Sequence, residues 1–137
     1  MKLKAFHKLS YGLYLVASEY NGKKAGYIAN TTFQVTSEPE QLAISCHKKN
    51  QTTQVILDSG IFSVSVLKKE VNMKIIGDFG FMSSNDIDKF SGISTITAKT
   101  GAPIVLDSSV AWFDCVVVKS IDLGSHFLII GEVLDSD

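Results

Sequence analysis

A chain of 137 residues with 45% hydrophobic and 20% charged side chains is that of a globular protein, and its length predicts one domain over residues 1–137. Thirteen basic groups against fourteen acidic ones leave a formal net charge of −1, which excludes the broad basic field that nucleic-acid or membrane-surface binding needs. No apolar run is long enough to span a bilayer and no secretory signal is legible, so a cytoplasmic protein without membrane contact is expected.

Residues 2–9 space Leu3, Phe6 and Leu9 three apart and predict a short amphipathic helical turn. A strand follows over residues 11–18. Asn21-Gly22 is a hairpin turn signal, and the partner strand runs from Lys24 to Ala29. The alternation then fails in the polar run Asn30, Thr31, Thr32. A second polar pair, Thr36 and Ser37, leads to Glu38-Pro39, where the pre-proline residue leaves in a turn. Residues 42–46 make another short strand. Asn50 is placed to cap a helix running to about Asp58 and ending at Gly60.

Residues 61–67 alternate cleanly, with Phe62, Val64 and Val66 on one face. A second helix is predicted over 71–79 with Met73, Ile76 and Phe79 inward. A loop follows through Ser83, Ser84 and Asn85, then a helical turn from Asp86 to Phe90. After the turn-rich segment 91–109, strands 110–120 and 125–134 form a hairpin about Asp122 to Gly124. Strands dominate, six or seven against two or three short helices, and an antiparallel β-barrel closes them without open edges.

No dinucleotide fingerprint, phosphate-binding P-loop, HExxH or GxSxG motif is present. Cys46 and Cys115 have neither CxxC nor Cys/His spacing, so no metal site is expected; Cys115 and Trp112 read as core, with a subunit interface the other option for Trp112. The feature with chemistry in it is His47-Lys48-Lys49 running into Asn50-Gln51-Thr52 at a helix start. There the helix dipole and backbone N–H groups favour an anion. A capped surface helix beside solvated lysines is the plain alternative. The Asn30 to Thr32 stretch is likewise either a hydrogen-bonding wall for a planar ligand or a strand end satisfying its own backbone.

The segments GYIANTTFQVTSEPEQLAISCHKKNQTTQVI, SGIFSVSVL, IGDFGFMSSNDIDKF, TGAPIVLDSSVAWFDCVV and GSHFLIIGEV resemble the flavin reductase-like, FMN-binding split-barrel family over almost the whole chain. Within it the likeness is to the flavin domain of high-molecular-weight rubredoxins, without the rubredoxin half. Similar chains usually continue past GEVLDSD. The resemblance implies a mainly β, antiparallel split β-barrel with two or three short peripheral helices, and a homodimer binding FMN. It also implies NAD(P)H as hydride donor and a rubredoxin or similar redox protein, or free flavin, as acceptor.

By position in the family pattern, Asn30, Thr31, Thr32, Val35, Thr36 and Ser37 would line the flavin ring. Ser45, Cys46 and His47 would follow the ribityl chain, and Lys49, Asn50 and Thr52 would hold the phosphate. Gly80, Phe81, Ser83 and Lys89 would come from a loop over the flavin. His126 is either a nicotinamide or flavin contact or a packed strand residue. The functional alternative is a non-catalytic flavin-binding or scaffold protein that keeps the barrel without turnover.

Overall fold

A computed structural model describes residues 1–83 and 88–137. Ser84, Asn85 and the start of the turn expected from Asp86 lie outside the described residues. The chain opens with a 3-10 turn, Leu3–Lys8, exposed throughout, so its three apolar residues form no part of the core. Then come β1 (Tyr14–Tyr20), β2 (Lys23–Ala29), β3 (Thr32–Ser37), β4 (Glu40–His47), α1 (Gln51–Ser59), β5 (Ile61–Leu67) and α2 (Met73–Phe81). The short pair β6 (Thr95–Ile96) and β7 (Ile104–Val105) precedes the long strands β8 (Ser109–Asp122) and β9 (His126–Ser136).

Seven strands form one antiparallel sheet in the order β2-β1-β5-β8-β9-β4-β3. Bulges between Gln34 and Thr36 on β3, and near Cys115 and Val118 on β8, help the sheet curl. Its two edge strands, β2 and β3, are joined only through Asn30-Thr31 and do not pair with each other, so the barrel stays open along one seam. This is the split barrel that the family pattern implies. The polar stretch after Ala29 is more regular than its composition suggests: residues 32–37 are an exposed edge strand paired with β4.

Inside the curl, Val16, Tyr27, Leu42, Ile44, Cys46, Phe62, Val64, Cys115 and Ile129 form one apolar core, with Ile56 of α1 packed into it. Gly131 makes room there, since a Cβ at that position would meet the Phe62 ring at 2.5 Å. On the outer side, Leu15, Ala17, Ile75, Phe79, Phe90 and Val105 form a second cluster that seats α2. Gly26 permits that approach, because a Cβ would sit 2.9 Å from Phe79. The buried face of α2 carries Ile75 and Phe79, while Met73 points outward, so the expected inward set is shifted. The helix also starts two residues later than expected, at Met73, because Asn72 caps it by accepting from the Lys74 N–H.

Candidate functional site

The helix start is built as its sequence reads. Asn50 has extended backbone geometry, and its side chain accepts from the Thr52 N–H at 2.9 Å. At the other end Gly60 closes the helix in left-handed geometry with its N–H on Ile56 O. Thr53 donates its hydroxyl to His47 O at 2.7 Å, pinning the first turn of α1 to the end of β4. The positive end of α1 is thereby held beside the seam.

A polar cleft follows that seam in two adjoining compartments. The larger, about 390 Å³, is walled by Asn30, Thr31, Ser45, His47, Asn50 and His126, with Tyr11, Tyr27, Ile28 and Ala29. The smaller, about 240 Å³, is bounded by Lys49, Asn50, Gln51, Gly80, Phe81, Met82, Ser83 and Lys89, with Tyr27, Ile28 and Phe79. Tyr27, Ile28 and Asn50 border both, so the compartments adjoin one another. One is broad and lined with amides, hydroxyls and imidazoles. The other has two lysines at a helix N-terminus.

The two histidines are cross-strand partners on β4 and β9, with ring centroids 4.8 Å apart, edge to face. Both Nδ1 atoms are engaged locally: the Lys49 N–H donates to His47 Nδ1 at 3.0 Å, and Ser125 Oγ lies 2.7 Å from His126 Nδ1. Neutral His47 therefore carries its proton on Nε2. Lys48 is turned away. It pairs with Asp122 at 2.7 Å, lies 5.0 Å above the Phe127 ring, and bonds Ser125 O through its own N–H. It holds the β8–β9 hairpin, and with it His126, against the turn before α1. The Lys48 ammonium, with the Gly124 N–H, holds the Asp122 carboxyl below its usual value.

Lys89 is buried in the smaller compartment, donating to Gly26 O at 2.8 Å and lying 5.6 Å from the Phe79 ring centroid. Burial lowers its ammonium to about 8, against a weaker opposing pull from Asp78. Thr52 is fully buried, and its hydroxyl has no hydrogen-bond partner among the described residues. An orphaned hydroxyl in the first turn of a helix that faces a lysine-bearing compartment fits an anionic ligand group there.

Several residues expected at the site stand elsewhere. Thr32 borders a separate apolar pocket with Tyr14, Phe33, Leu42, Val66, Phe113 and Val133. Val35, Thr36 and Ser37 lie exposed on β3, and Thr36 donates to Pro39 O. They leave the cleft because β3 turns away to pair with β4. Cys46 points into the barrel interior, fully buried, where burial pushes its thiol up to about 11. Thr52 lies beneath the cleft surface rather than on it. Conversely, sequence reasoning missed Tyr11, Tyr27 and Gln51. In the strand pattern Tyr27 is only another inward residue, and nothing local reveals that it stands at a seam. Cys115, free and buried in the core, is pushed up to about 12 by burial first and then by Asp114. Among the described residues no group of three or more His, Cys, Asp or Glu is placed to hold a metal.

The open antiparallel barrel thus carries two adjoining compartments, one lined by amides, hydroxyls and imidazoles and the other bordered by lysines. Residues 6–137 match the flavin reductase like domain, and the chain belongs to that family. Over its full length it is 48% identical to a ferric-chelate reductase (NAD(P)H) of Archaeoglobus fulgidus, covering 81% of that protein. It is 38% identical over 99% of its length to a high molecular weight rubredoxin of Moorella thermoacetica, but spans only 59% of that protein. An FMN-binding protein from Thermus thermophilus, solved with bound p-hydroxybenzaldehyde, has the same fold. Its TM-score is 0.86 at 20% identity, over 96% of this chain and 74% of that one.

Proposed function

We propose that the seam cleft holds FMN, its ring in the larger compartment and its phosphate in the smaller, and that the chain is an NAD(P)H-dependent flavin reductase-like oxidoreductase. The observation that carries this reading is the adjacency of the two compartments, which share Asn50 as a common border. It offers one ligand both a wall of hydrogen-bonding groups and a helix N-terminus with two lysines.

Asn30, Thr31 and Ser45 supply amide and hydroxyl contacts to the ring and its side chain. His47 donates from Nε2, and His126 stands at the same end, where a nicotinamide approaches. Lys49 and Lys89, with the first turn of α1, hold the phosphate. Held there by these residues, FMN would supply hydride acceptance from NAD(P)H and electron delivery to an acceptor. The protein's part is to orient and hydrogen-bond.

The acceptor is a rubredoxin-like redox protein in this reading, supported by the relative in which a similar domain is part of a larger rubredoxin. A soluble ferric chelate is the second reading, favoured by the higher identity to a chain of that name. A homodimer is part of the same proposal. Its support is the unpaired edge β3, which leaves Phe33 and Val35 exposed beside an apolar pocket. Protein loaded with FMN and mixed anaerobically with NADH or NADPH should bleach, then regain colour on adding oxidised rubredoxin or a ferric chelate. Failure to take up FMN would remove the binding reading; uptake without bleaching would remove the reductase reading.

A further inference from the structure

We infer that Tyr27 is the positioning residue of the cleft: its hydroxyl, tied to Cys46 across the open seam, fixes where the ring compartment meets the phosphate compartment. On β2 the inward face carries Ala25, Tyr27 and Ala29, so one large side chain stands between two small ones. Four strands lie between β2 and β4 along the sheet, and the two strands share no backbone pairing. Yet the Tyr27 hydroxyl shares a hydrogen bond of 3.0 Å with Cys46 Sγ and donates to Ser45 O at 3.4 Å. A side chain thus closes the barrel where the backbone does not. The same ring borders both compartments, and Ser45, which it holds, is itself a wall of the larger one. Burial raises both the phenol and the thiol, so the contact joins two neutral groups throughout the physiological pH range.

This inference rests on the reading of the cleft as an FMN site, and the test separates the two. FMN affinity, kcat and KM for NADH, and amide exchange of the flavin-free protein are measured for Tyr27→Phe, Cys46→Ala, the double variant and Cys46→Ser. Each of the first two should weaken FMN binding about fivefold, the worth of one hydrogen bond. The double variant should be no worse than Tyr27→Phe, because the phenylalanine already removes the contact that the cysteine makes. Cys46→Ser, which keeps a hydrogen-bonding group, should restore affinity. In the flavin-free protein, exchange along Ala25 to Ala29 should rise in Tyr27→Phe and, to a smaller extent, in Cys46→Ala, which leaves the bond to Ser45 O. Additive losses, or no rescue by serine, would overturn the inference while leaving FMN binding intact. If the parent protein takes up no FMN, the proposed function fails instead. The seam contact is then judged by exchange alone, and unchanged exchange in both variants would overturn it.

Discussion

Thr52 is a residue whose type is legible in the sequence and whose burial is not. Its position after the Asn50 cap points to a hydroxyl near an anion, but the fold buries it beneath the cleft surface with no partner for its Oγ1. Thr52→Val keeps the shape and removes the orphan, so flavin-free protein should melt at the same temperature or higher. If the hydroxyl meets the phosphate when the cleft is filled, FMN affinity should fall about tenfold, as for a hydrogen bond to a charged group. Unchanged affinity would remove Thr52 from the site. Lys89 carries a prediction with a pH signature. Its folded value of about 8 lies below that of an ordinary lysine, so above pH 8 the unfolded chain binds the proton more tightly. The stability cost of burying the charge is therefore full below pH 8 and shrinks as pH rises toward the ordinary lysine value. Lys89→Met should raise the melting temperature of flavin-free protein at pH 7, with the gain fading near pH 10, and should weaken FMN binding. A loss of stability equal at both pH values would contradict this account.

At the scale of elements, α1 and the β8–β9 hairpin were legible because their signals are local: a capping Asn, a closing Gly, and an Asp-Leu-Gly turn between apolar runs. The edge strand β3 was not, since four of its six residues are polar and its ladder is supplied by β4 rather than by its own alternation. Nor was the division of labour between neighbouring lysines. Lys49 borders the cleft, whereas Lys48 is committed to Asp122 and Phe127, and no one-dimensional pattern separates them. That commitment makes Lys48 a brace for His126. Lys48→Met should lower kcat with NADH several-fold while leaving FMN affinity nearly unchanged, because the hairpin moves and the phosphate end does not. Steady-state kinetics beside flavin titration checks it; a loss of affinity without a loss of kcat would place Lys48 on the phosphate instead.

The molecule as a whole is organised around a closure its backbone does not make. Strand count and hairpin turns predict a barrel, but which two edges fail to meet is decided by the global curl of seven strands and by bulges. The seam, and hence the cleft, was therefore visible only through family likeness. Its walls are assembled from distant stretches, with Asn30 and Thr31 at one junction and Lys89 and His126 brought in from later elements. The most direct measurement is diffraction from crystals grown with FMN. The account predicts one flavin along the seam, ring between Thr31 and His126, phosphate against Asn50, Lys49 and Lys89. Flavin density at another surface, or density that leaves both compartments vacant while the crystal is yellow, would contradict it.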